Sequence, residues 1–121
     1  MGNLTKNFSR WEFKCKCNAC NLDTIDFEVL KNLQEACNYL ASINGLPKVT
    51  CGILSGFRCK WWNGHEGGVF NSLHTSGKAI DFRILELDTY TVYKYLNATY
   101  KSEQWEIIYD GTKDYIHFGR K

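Results

Sequence analysis

Proline is nearly missing from this chain: among 121 residues there is one, Pro47. With 44% hydrophobic and 15% aromatic residues alongside that scarcity, the composition is not that of a disordered segment and can support a packed core. Nowhere do about 18 apolar residues run together, so no membrane-spanning helix is expected. Neither sign of charge prevails. Fifteen basic and 13 acidic side chains leave a formal +2, which lacks the electrostatic footprint of a nucleic-acid binder. The start, "MGNLTKNFSRWEF", has no apolar secretory core, and Lys6 stands where a myristoylation signal carries Ser or Thr. The expectation is a soluble, monomeric protein made in the cytosol, with one domain over residues 1–121.

Histidine is scarce and cysteine is not. His65, His74 and His117 are the only histidines, so any metal or acid–base site must be built from them and the acids. Six cysteines are many for a cytosolic chain. Cys15, Cys17 and Cys20 cluster as "CKCNAC". They could hold a structural zinc with a fourth ligand such as Cys59, form disulfides outside a reducing compartment, or remain free thiols. The usual second Cys-x-x-Cys pair is missing. Cys37 shares a helix face with Leu33 and Leu40 and is expected in the core.

The pattern along the chain is α+β. A short helix or turn is expected over residues 5–13, anchored by Phe8, Trp11 and Phe13. The stretch "DTIDFEVLKNLQEACNYLASING" reads as a helix. Asp23 or Thr24 would cap it, Leu30, Leu33, Cys37, Leu40 and Ala41 recur at helical spacing, and Gly45 and Pro47 end it. "KVTCGILSG" and "GKAIDFRIL" read as strands, with a long loop over residues 59–76 between them. A second helix follows, capped by Asp88. Strands "WEIIYD" and "DYIHFGR" close the chain around a turn at Asp110–Gly111. Together these predict a small antiparallel sheet with helices packed on one face.

Within "NSLHTSGKAIDF", Asp81 sits between Ile80 and Phe82 in an apolar strand. A buried carboxylate is costly unless paired or bound to a cation. Strand alternation places Ala79, Asp81 and Arg83 on one side and Ile80, Phe82 and Ile84 on the other. His74 on the preceding loop and His117 on the last strand complete two imidazoles and one carboxylate, a set typical of catalytic zinc with a fourth position for water. One carboxylate leaves such a site near +1, which acidifies the water. Asp114, three residues before His117, is the candidate base.

Four stretches in order carry a resemblance. "SGFR" at 55–58, then Asn63 with Gly67 and Gly68, then "SLHTSGKAID", then "DYIH" are similar to the motifs of zinc peptidases that cleave bacterial cell-wall peptides. That family includes D-alanyl-D-alanine carboxypeptidases and bacteriophage L-alanyl-D-glutamate endopeptidases, and shares its fold and zinc pattern with the hedgehog signalling domain. The resemblance runs from "NFSRWEF" to "YIHFGR". It implies zinc at His74, Asp81 and His117, and Asp114 as general base. It also implies Arg58 as holder of the substrate carbonyl or carboxylate, and Ser72 as a hydrogen-bonding partner of the substrate or a brace for the loop. On an ideal strand residues 114 and 117 point to opposite faces, so Glu106 on the neighbouring strand is the reserve base. Trp61 and Trp62 either wall the groove or cover the core edge, and His65 is expected as an exposed loop residue. The implied function is hydrolysis of peptidoglycan stem peptides by a phage or prophage endolysin, acting on the wall after release from the host cell or from a virion. The endopeptidase is preferred to the carboxypeptidase. The alternatives are a non-catalytic zinc module like the hedgehog domain and, against the charge balance, a nucleic-acid-binding cysteine knuckle.

Overall fold

The computed structural model describes residues 4–17 and 19–121; the Met1–Gly2 start, where a myristoylation signal would begin, lies outside them. Among the described residues, four antiparallel strands form one sheet in the order β1-β2-β4-β3. They are β1 (Cys51–Ser55), β2 (Ala79–Ile84), β3 (Trp105–Tyr109) and β4 (Ile116–Arg120). Three α-helices accompany them: α1 (Phe27–Ile43), α2 (Lys60–His65) and α3 (Thr89–Thr99). The expected α+β architecture is present.

Alternation divides the sheet into two faces. Ile80, Phe82 and Ile84 of β2, Ile116 and Phe118 of β4, and Trp105 of β3 belong to the hydrophobic core. Val29, Leu33, Cys37 and Leu40 of α1 and Val92 and Leu96 of α3 complete it, together with Phe8 and Phe13. The two longer helices thus cover one face. The opposite face carries Asp81 and His117, which are direct cross-strand partners. The register between β1 and β2 shifts between Ile53 and Ser55, so that Ser55 comes opposite Asp81. This bulge turns the Ser55 side chain toward the polar face.

Three boundaries differ from the sequence reading. The cap of α1 is Asp26, not Asp23 or Thr24; its side chain accepts from the Val29 amide at 3.2 Å. Asp26 is also fixed by Arg120 at 2.9 and 3.0 Å, and its amide donates to Gly77 O at 2.8 Å. Those contacts hold the chain before it extended, and Asp23 pairs instead with Arg10. The expected loop over 59–76 contains α2 and a 3-10 turn at Leu73–Ser76. α2 is short and contains Gly64; it is held by Cys59 at its start and by Asn63, which is 3% exposed. The β3–β4 connection takes residues 110–115, longer than a two-residue hairpin turn, with Asp110 Oδ1 accepting from the Thr112 amide and hydroxyl.

Candidate metal centre and cleft

The site starts from the sheet. Pairing of β2 with β4 puts Asp81 opposite His117, and pairing of β4 with β3 puts His117 opposite Ile108. His74 reaches the same spot from the 3-10 turn before β2. Ser72 starts that turn, its hydroxyl accepting from the His74 amide at 3.2 Å. Gly77 ends it at φ 72, where a Cβ would lie 2.7 Å from Thr24 O. Only glycine meets both demands.

Asp81 is 6% exposed and His74 is 2% exposed. Asp81 Oδ1 lies 3.0 Å from His74 Nε2 and 3.0 Å from His117 Nδ1. The outer nitrogens also have partners: His74 Nδ1 lies 2.8 Å from Gly56 O, and His117 Nε2 lies 2.6 Å from Glu106 Oε1. Burial opposes ionisation of Asp81. Hydrogen bonds from His117 and His74, and their charges, outweigh it and hold the carboxyl well below the usual carboxylate range. Burial likewise opposes protonation of His117, but the hydrogen bond and charge of Asp81, with Glu106, raise its pKa.

Each imidazole is bracketed by two acceptors. A neutral ring has one N–H. A neutral His74 can give that N–H to Gly56 O or to Asp81 Oδ1, not to both. His117 faces carboxylates on both sides. A cation among His74 Nε2, Asp81 Oδ1 and His117 Nδ1 resolves both conflicts, and these three residues offer donor atoms within 4.8 Å of one another. Two imidazoles and one carboxylate suit zinc. The outer N–H groups, donating to a carbonyl and a carboxylate, are the supporting shell that orients histidine ligands.

Arg58 completes the polar face. Its Nη2 lies 3.2 Å from Asp81 Oδ2, its Nε donates to Ser55 Oγ at 2.9 Å and its Nη1 to Asn63 Oδ1 at 3.3 Å. A cleft of about 770 Å³ opens over these groups. Its lining includes Arg58, Ser72, His74, Asp81 and His117, and also Gly68 and Val69 from the loop after α2. Glu106, Lys113, Tyr115 and Lys121 line it as well.

A family model described as Peptidase M15 matches residues 6–119. The chain belongs to the M15 peptidase family. Membership makes it a metallopeptidase of a zinc-dependent family. No curated protein and no solved structure matches the chain.

In this M15 peptidase the expected site residues are not all in one place. His74, Asp81, His117, Arg58 and Ser72 line the cleft. Asp114 does not. Its carboxylate is 60% exposed; Oδ1 accepts from the Thr89 hydroxyl and Oδ2 lies 3.3 Å from Arg83 Nη1. β4 begins at Ile116, so Asp114 belongs to the connecting loop and is drawn toward the start of α3. Glu106, the reserve base, is on the cleft and bonded to His117. Its position follows from β3 alternation, with Trp105 and Ile107 packed on the core and Glu106 turned from it. Trp61 and Trp62 are not part of the cleft lining; they stack with the exposed His65 at 5.5 and 4.7 Å on α2. Gly56 O, which holds His74, has no signal in the sequence; Asn63, noted above only as a motif position, holds Arg58.

Proposed function

We propose that the chain hydrolyses peptide bonds in the stem peptides of bacterial peptidoglycan, as an endolysin of phage or prophage type acting on the wall after release. The observation that carries this reading is the convergence of His74 Nε2, Asp81 Oδ1 and His117 Nδ1 beneath a cleft. Zinc held there supplies Lewis acidity toward a peptide carbonyl and lowers the pKa of water. Asp81, ionised and buried, contributes the one negative ligand. Gly56 O and Glu106 fix the tautomers of the two imidazoles. Arg58, anchored on Ser55, Asn63 and Asp81, presents its cation to the substrate carbonyl or to a stem-peptide carboxylate. Lys113 and Lys121 in the cleft lining add cationic anchors that suit a stem peptide rich in carboxylates. Ser72 steadies the His74 turn through the backbone.

The general base is a carboxylate. The acid-x-x-His pattern assigns it to Asp114, which must leave Arg83 and Thr89 to reach the cleft. Glu106 then orients His117. The two roles have different signatures. Removing the base by Asp114→Asn lowers kcat by about 10²–10⁴-fold with zinc retained. Removing an orienting carboxylate by Glu106→Gln costs about 10–100-fold in zinc affinity. A kcat collapse in Glu106→Gln at saturating zinc, with Asp114→Asn active, transfers the base role to Glu106.

The reaction itself is tested by digesting purified peptidoglycan with and without a chelator and identifying the fragments by mass. New amino ends on D-glutamate support the L-alanyl-D-glutamate endopeptidase we favour. Release of free D-alanine assigns a carboxypeptidase instead. The absence of any chelator-sensitive product overturns the peptidase reading.

A further inference from the structure

We propose that Cys15, Cys17, Cys20 and Cys59 bind a second zinc ion, a structural one, that ties the loop before α1 to the segment carrying Arg58. This goes beyond the peptidase reading and does not depend on it. The sulfurs of the four residues lie within 4.8 Å of one another, and Cys17 Sγ and Cys20 Sγ are 3.4 Å apart. A tetrahedral thiolate site with Zn–S bonds of about 2.3 Å has sulfur–sulfur edges of about 3.8 Å. The four sulfurs therefore need small adjustments, not a rearrangement, to surround one ion.

The backbone around the cluster is arranged for sulfur as an acceptor. The amides of Ala19 and Cys20 donate to Cys17 Sγ at 3.4 and 3.3 Å. The amide of Cys59 donates to Cys15 Sγ at 3.3 Å, and the amide of Trp62 donates to Cys59 Sγ at 3.5 Å. Amides aimed at sulfur stabilise thiolates and serve as the supporting shell of a metal site. Cys37 and Cys51 differ. They are buried among aliphatic side chains, and burial, with Cys37 beside it, pushes the Cys51 thiol well above its ordinary range. Those two are core residues; the other four form a site.

Four protein ligands leave no open position, which is the mark of a structural ion. An all-thiolate tetrahedral set suits zinc or iron. Its place in the fold gives it a task. Two backbone segments run in contact here: Phe57 N donates to Phe13 O at 2.9 Å, and a Cβ on Gly56 would lie 2.6 Å from Phe13 Cα. Cys15 and Cys59 continue the same two segments. An ion joining them fastens the chain at Cys59, immediately after Gly56 and Arg58, the groups that hold His74 and Asp81 Oδ2.

The full chain, purified under reducing conditions, is assayed for metal by mass spectrometry of the elements and for sulfur ligation by zinc X-ray absorption. The expected result is two zinc ions per chain and a mixed first shell of sulfur with nitrogen and oxygen. A His74→Ala, His117→Ala double variant, titrated with cobalt(II), shows thiolate-to-metal charge-transfer absorption, adding Cys59→Ser lowers its intensity, and replacing Cys15, Cys17, Cys20 and Cys59 together by Ser abolishes it. Should the double variant fail to fold, the absorption spectrum of the parent zinc still decides. A first shell of nitrogen and oxygen alone overturns the proposal, as does an intact mass showing these cysteines oxidised in pairs. A coloured, iron-loaded protein overturns the choice of zinc.

Discussion

Asp81 uses both of its oxygens, one for the two imidazoles and one for Arg58. An Asp81→Ala chain leaves a half-buried guanidinium and two imidazoles without their shared carboxylate. The expected outcome is loss of tight zinc binding in chelator competition, together with a lower melting temperature. Gly77 is a second single-residue constraint. Its φ of 72 and the 2.7 Å approach of a Cβ to Thr24 O predict that Gly77→Ala destabilises the fold by about 2 kcal/mol or more in urea unfolding. At this scale the sequence is informative where a residue type is odd for its surroundings. An aspartate inside "AIDF" and a glycine before it signal themselves. Gly56 O does not, because a backbone carbonyl has no residue identity. Asp114 was legible as an acid near a histidine, whereas its attachment to Thr89 and Arg83 depends on where two other elements end.

α1 and β4 are tied by Asp26 and Arg120, far apart in the chain. The hydrogen bond from Arg120 holds the Asp26 carboxyl below its ordinary pKa, with the Val29 amide adding to it against burial. A depressed carboxylate contributes stability that is fully present above its unfolded pKa and fades as pH falls through the folded value. The parent should therefore be more stable than Asp26→Asn at neutral pH, and the gap should close on acidification, as urea melts across pH will show. Leu33→Ala, in the fully buried face of α1, should cost about 2–5 kcal/mol in the same measurement. Helical periodicity made α1 readable, since its apolar face repeats over seventeen residues. Its cap was not, because three potential caps stand within four residues and Arg120, at the other end of the chain, selects among them. α2 was hidden for a related reason: six residues with a glycine inside have little helical preference of their own, and Cys59 and Asn63 supply the hold.

The whole molecule keeps its two sheet faces for different work, with α1, α3 and the core on one and the cleft on the other. No helix among the described residues is long and apolar enough to cross a membrane. Ions that bind only the folded chain stabilise it by mass action. Chelation should lower the melting temperature and zinc should restore it, as calorimetry will record. The overall architecture was legible because alternation separates a hydrophobic face from a polar one in β2, where Ile80, Phe82 and Ile84 alternate with Asp81 and Arg83. The bulge in β1 was not, since the residue it redirects, Ser55, is unremarkable until Arg58 is placed beside it. The sharing of Asp81 has a consequence at this scale. On the proposed reading the carboxylate that would hold the ion is also the rear anchor of the Arg58 guanidinium, so emptying the centre is expected to alter the posture of Arg58. A stem-peptide fragment should then bind the stripped protein more weakly even where it makes no bond to metal, and titration calorimetry on both forms will register that coupling.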